Sequence, residues 1–209
     1  MQKFLIPILL SGSLILSVSC SRQPWSGLER AEVNDCLLKH LPDYLSERYK
    51  SEIEIAGRSF GGILVVKKMN DHSTRVVFTG DAGITFFDME FKGETFKVHY
   101  ITKKLDRKPV IRQLRDDIRL VLMSVVKSKP DQHIINGDES IHVYNHDKKT
   151  TGYFTSSDCT KLIKAEIRSN NKLKTTASFY ETGKSLPDSV FIKHESIHFT
   201  ISLKKLKQL

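Results

Sequence analysis

Histidines, cysteines and one pair of adjacent aspartates are the side chains of this 209-residue sequence whose types and spacing could do chemistry. His142 with His146, and His194 with His198, stand at a spacing that places two metal ligands side by side on a helix. The residues around them alternate as strands do, and in a strand that spacing separates the rings by about 13 Å. His146 lies in the turn Asn145-His146-Asp147, which keeps a metal site there open as an alternative. Asp116-Asp117 falls in a predicted helix, where adjacent residues point in different directions, so a solvated face explains the pair better than acid and base catalysis. Glu90, alternating with Met89 and Phe91, reads as the water-facing side of a strand. No Gly-x-Ser-x-Gly elbow, phosphate loop, His-Glu-x-x-His helix or dinucleotide fingerprint occurs. The chain is therefore read as non-enzymatic, with no cofactor and no metal.

The cysteines carry a different message. Residues 1–19 combine one positive charge at Lys3 with an apolar run over residues 4–18 and no acidic residue, the layout of an export signal. The run is shorter than the ~20 apolar residues that a membrane-crossing helix needs, and Pro7 and Gly12 interrupt it. Ser17 and Ser19 flank Val18 directly before Cys20, and this resembles the lipobox at which bacteria attach diacylglycerol to the cysteine sulfur, cleave before it and acylate the new amine. Ser17 stands where a leucine is usual, with Leu16 one step further away. Ordinary signal cleavage leaving Cys20 as a free thiol is the alternative. The remaining cysteines, Cys36 and Cys159, form an even pair in an oxidising compartment, where a disulfide and two buried thiols both fit the sequence.

Beyond a short tether over residues 20–28, residues 29–209 read as a single domain, since no Gly, Ser or Pro tract divides them. The net charge of +9 sits in short clusters, among them Lys67-Lys68, Lys103-Lys104, Arg107-Lys108 and Lys148-Lys149. Such a surface suits phospholipid headgroups or acidic proteins, or is simply solvated. An exported protein rarely meets nucleic acid, and no aromatic-rich or helix-turn-helix pattern supports that partner.

The elements follow from periodicity. Between residues 29 and 49, Val33, Leu37, Leu38, Leu41, Leu45 and Tyr49 recur near helical spacing around Pro42, which predicts one or two short helices. The period then changes to two through Ile53, Ile55, Phe60, residues 63–66, residues 76–78 and residues 84–91, with turns at residues 79–83 and 92–94. Pro109, Val110, Leu114, Ile118 and Val125 predict one central helix, after which strands resume to residue 203. The fold class expected is α+β, mostly β: a curved antiparallel sheet or half-open barrel of roughly ten to eleven strands around a central helix. A partly closed sheet can enclose an apolar cavity, for which Phe78, Phe86, Phe91 and Leu122 are the candidate lining, an ordinary core being the alternative for each.

Three stretches carry a family resemblance: Gly61-Gly62-Ile63-Leu64-Val65-Val66-Lys67-Lys68, then Arg75-Val76-Val77-Phe78-Thr79, then Asp81-Ala82-Gly83-Ile84-Thr85-Phe86-Phe87-Asp88. They resemble the early strands of the lipoprotein-localisation carrier and receptor superfamily (LolA/LolB-like), whose members hold acyl chains in a half-open barrel. The resemblance implies an outer-membrane lipoprotein facing the periplasm, with acylated lipoproteins or phospholipid as ligands and a periplasmic carrier as partner. Receptors of that family carry a leucine on a protruding loop ahead of a glycine. Here Ala82 occupies that place, and Ile84 is the other candidate for a membrane-facing tip.

Overall fold

The computed structural model describes residues 24–25, 27–126, 129–146, 148–180 and 187–207. The predicted signal, Cys20 and the first part of the tether lie outside them. Among the described residues the chain forms β1 (Glu29–Ala31), β2 (Ser46–Ile55), β3 (Arg58–Lys68), β4 (Thr74–Gly80), β5 (Thr85–Lys92), β6 (Thr95–Ile101) and α1 (Lys108–Val121). After the helix come β7 (Gln132–Asn136), β8 (Glu139–His146), β9 (Lys149–Ser156), β10 (Leu162–Ser169), β11 (Lys172–Tyr180), β12 (Ser189–His194) and β13 (Phe199–Lys205). All 13 strands join one antiparallel sheet in the order β1-β7-β8-β9-β10-β11-β12-β13-β2-β3-β4-β5-β6. Its two edges, β1 and β6, do not pair with each other, so the sheet is open.

The expected mostly-β, single-helix, curved sheet is present, with two corrections. The strand number is 13 rather than ten to eleven, because β1 and the short β7, whose Gln132-His133-Ile134-Ile135-Asn136 shows no alternation, add an edge. The predicted N-terminal helices reduce to one 3-10 turn, Cys36–His40, and Tyr49 belongs to β2. In β2 the inward slots are Glu47, Tyr49, Ser51 and Ile53. Polar Glu47 and Ser51 hide the period of two and leave leucines and a tyrosine that mimic a helix. Glu47 is held by Lys205 Nζ at 3.0 Å.

Contacts of the helix show how far the sheet curls. Arg119 donates to the Glu94 carbonyl in the turn before β6, while Tyr153 of β9 donates its hydroxyl to the Leu120 carbonyl at 3.1 Å. In the sheet β9 and β6 are nine strand spacings apart, about 43 Å if flat at ~4.8 Å each. Two adjacent helix residues touching both requires the sheet to wrap around α1. The main core fills the space between them, with Tyr49, Phe78, Phe87, Leu114 and Tyr153 all essentially inaccessible.

A smaller cluster of Ile134, Ile141, Val143 and Phe154 lies apart from the main core, covered by Trp25. The Trp25 ring meets Phe154 edge-on at 6.0 Å and rests on Gly152, where a Cβ would come within 2.6 Å of the indole. Gly152 is thus a seat for Trp25 that a larger residue would close. Cys36 and Cys159 are joined in a disulfide, with Cα atoms 5.7 Å apart, which ties the 3-10 turn to the β9–β10 connection. Both apolar clusters and all 13 strands of the described residues fall between residues 24 and 207.

Candidate functional site

Helix α1 starts at Lys108 with Pro109 in its first turn and no side-chain cap, and ends just before Met123 turns to φ 51°. It lays Leu114, Asp117, Ile118 and Val121, spaced i, i+3, i+4 and i+7, along the inner face of the sheet. Between this stripe and Ile53, Leu64, Val66, Val76, Phe87, Ile192 and Ile201 there is a gap of about 30 Å³. It admits no more than one or two water-sized groups. The apolar interior is therefore filled by the helix itself, and an acyl chain enters only if α1 moves away from the sheet.

Of the four predicted lining residues, only Leu122 borders this seam. Phe78 and Phe86 pack at 5.2 Å in a cluster that also holds Phe60 and Phe87. Phe91 packs on Phe96 and, with Leu122, Tyr44 and Thr74, borders a separate shallow cleft of about 240 Å³. Ala82 and Ile84 are exposed, Ile84 to 60%, on a hairpin loop closed by the Gly80 N–H to Ile84 carbonyl bond of 2.9 Å. Gly83 takes φ 78° there, a left-handed conformation that favours glycine. Strand register puts this loop at the same end of the sheet as the β12–β13 loop with exposed Ile197. The start of β1 is at the opposite end, while Trp25 before it lies over the middle of β9, on Gly152.

The histidine pairs are placed by the sheet. His142 stacks on His133, with centroids 5.0 Å apart, and its Nε2 lies 3.0 Å from Thr155 Oγ1. Burial first, then His133 and His40, lowers the His142 pKa to about 4, so the ring is neutral at physiological pH. Glu90 lies within an ionic ladder, 3.6 Å from Arg75 and 2.8 Å from His99. Among the described residues no three His, Cys, Asp or Glu side chains converge as a metal-ligand set.

Asp117 corrects the sequence reading. It is fully buried in the seam, its Oδ2 3.1 Å from His194 Nε2 on β12, and Gln113 donates to its Oδ1 at 3.0 Å. Neither Oδ2 nor Nε2 is aligned for a hydrogen bond. Burial raises the Asp117 pKa well above the ordinary carboxylate value, against a smaller opposing effect of the Gln113 bond, and burial lowers that of His194. The seam thus favours a neutral acid beside a neutral imidazole. A raised acid contributes stability that is present below its unfolded value near 3.9 and lost as pH rises through the folded value. Asp117→Asn keeps an acceptor for Gln113 and cannot ionise. Its melting temperature should equal that of the wild type near pH 4 and exceed it by a margin that widens towards pH 8, measured by circular dichroism. A margin independent of pH would show that Asp117 does not ionise against the fold.

On the other side of the helix a cleft of about 540 Å³ opens between α1, the β5–β6 turn and the β8–β9 turn. Its walls bring together Arg115, Arg119, Lys148 and Lys149 with Asp116 and Glu94, over Leu120, Val125, Tyr153 and Ile167. Sequence reading singled out Lys148-Lys149 as a basic cluster but missed the arginines opposite. Their i, i+4 spacing on α1 was the available signal.

No family model matches the chain, and no curated protein matches it. Among solved structures it is similar to a DUF1329 family protein from Desulfovibrio piger, at 8% identity and a TM-score of 0.50, over 83% of this chain and 89% of that one. It is also similar to an outer membrane lipoprotein-sorting protein domain from Vibrio parahaemolyticus, at 8% identity and a TM-score of 0.46, over 80% of this chain and 86% of that one. At such identities the likeness to the first is one of fold alone.

Proposed function

We propose that this chain is a non-enzymatic lipid-binding module of the bacterial cell envelope, held to a membrane by acyl chains on Cys20, that receives the acyl chains of lipoproteins or phospholipid between α1 and the sheet. The observation that carries this reading is the seam: an open, curled sheet whose apolar inner face is covered by one amphipathic helix. Each buried CH₂ contributes about 0.8 kcal/mol, so a chain of a dozen carbons can offset the loss of the helix's own contacts. The buried acid and imidazole make those contacts less favourable than an all-apolar stripe would be. Because the 80–84 loop and the entry of the chain lie at opposite ends of the strands, Ala82 and Ile84 suit contact with an incoming periplasmic carrier better than contact with the anchor's own bilayer.

The test is titration of a fluorescent triacylated peptide into the chain from residue 24 onward, with the non-acylated peptide as control. Saturable binding that requires the acyl chains is expected. Its absence would favour a second reading, an interaction lipoprotein with a closed core, to which the small size of the gap gives weight.

A further inference from the structure

We infer that the basic cleft beside α1 is a binding site for a phosphate headgroup of net negative charge carried on an amphiphile, whose apolar part lies on the floor of the cleft. Four side chains with permanent positive charge, Arg115, Arg119, Lys148 and Lys149, border the cleft, against the carboxylates of Asp116 and Glu94. Among the described lining residues this is a surplus of two positive charges in a concave space, where the field of like charges adds.

The cations are positioned rather than merely near. Arg115 donates from Nε and Nη2 to Asp116 Oδ1 at 3.0 and 2.8 Å, and Lys149 donates to Asp116 Oδ2. Asp116 thus has both oxygens engaged and fixes one cation from the helix and one from β9 on the rim. Arg119 is tied through Nη2 to the Glu94 carbonyl at 2.6 Å, while its Nε–H is buried without an acceptor. The two guanidiniums stand one helical turn apart on the same wall, each with part of its donor set held by the protein, and guanidinium donors bind phosphate as they bind carboxylate. Ser124, Thr151 and Ser169 add hydroxyl donors.

The floor argues for an amphiphile over free phosphate. Half-buried Val125, with the edges of the buried Leu120 and Ile167, gives the cleft an apolar floor that an inorganic ion leaves uncovered.

This inference rests on the proposed lipid binding for the apolar half of the ligand only, and the experiment separates the two. Short-chain phosphatidylglycerol, phosphatidylcholine of the same chain length, and inorganic phosphate are titrated below micelle concentration into the chain from residue 24 onward, by calorimetry in low salt. The neutral triacylated peptide is run in parallel. Phosphatidylglycerol is expected to bind at least tenfold more tightly than either of the others. Arg115→Gln with Arg119→Gln should reduce that affinity about tenfold and leave the neutral peptide's binding unchanged. Equal affinity for the two phospholipids, or no effect of the arginine changes, would overturn the inference while leaving acyl binding standing. Phosphate alone binding as tightly as phosphatidylglycerol would overturn the amphiphile and identify a free-anion site. Should the arginine variant not fold, Lys148→Gln with Lys149→Gln, on the opposite wall, carries the same expectation.

Discussion

Leu114→Ala is expected to destabilise the chain by about 2–5 kcal/mol, the range for emptying a packed leucine site, and to bind an acyl chain more tightly than the wild type does. Leu114 has no accessible surface, lies on the inner stripe of α1 and borders the seam gap. In a chain of this size about 1 kcal/mol lowers the melting temperature by about 2–4 °C, so a fall of roughly 4–20 °C is predicted. The new void opens onto the existing gap, so a ligand chain fills space that in the wild type it must clear by moving the helix. A ligand that binds only the folded state at a hundred times its Kd returns about 2.7 kcal/mol. Thermal melts with and without the triacylated peptide should therefore show a larger upward shift for Leu114→Ala than for the wild type. If the peptide restores nothing, the void is sealed from ligand and the seam is an ordinary core.

The second large effect concerns the disulfide. Cys36→Ala with Cys159→Ala removes a cross-link spanning 123 residues of sequence. Loop-closure entropy for ~100 residues sets an upper figure of about 4.7 kcal/mol, and losses of about 2–5 kcal/mol are typical. The loss should be local as well as global. The 3-10 turn Cys36–His40 carries buried Leu37, and His40 lies 3.1 Å from the Cys159 carbonyl. Hydrogen exchange should quicken first at residues 36–45 and around His133 and His142, before the central strands respond. A variant with unchanged melting temperature and exchange would show that packing alone holds this segment. Adding a reductant to the wild type should reproduce the variant.

What could be read from the sequence divides along physical lines. Strands β3, β4 and β5 alternate plainly because their inward positions are apolar, as with Leu64, Val66, Val76, Phe78, Phe87 and Met89. The helix was legible from Pro109 and the spacing of Leu114 and Ile118. β2 was half hidden because Glu47 and Ser51 occupy buried slots, Glu47 held by the distant Lys205 and Ser51 by the Tyr49 carbonyl within its own strand. Asp117 was misread for a related reason. Its neighbour Asp116 does face the cleft, but Asp117 falls on the same stripe as Leu114, Ile118 and Val121, and that placement was the signal. Its partner His194 lies on a strand that meets the helix only because the sheet curls, which no local pattern encodes. The same curl gathers Arg115, Arg119 and Lys149 into one cleft. Phe78 and Phe86 do not border the seam because aromatic side chains on the neighbouring strands β4 and β5 pack against each other.

The way the chain enters the sheet also sets how it bears load. β1 has only three residues paired with β7, and a segment that short at a sheet edge detaches under modest force. A pull on the residues before Trp25 first meets the indole seated on Gly152 and then β1, each loaded along the strand direction. Beyond them stands the Cys36–Cys159 bond, a covalent stop that passes the remaining tension to the β9–β10 connection in the body of the sheet. At most a dozen residues, 24–35, can peel away before that stop engages. A protein tethered by this end is thereby buffered against tugging by its moorings: the leader lengthens by a few nanometres while the seam around α1 stays unstrained.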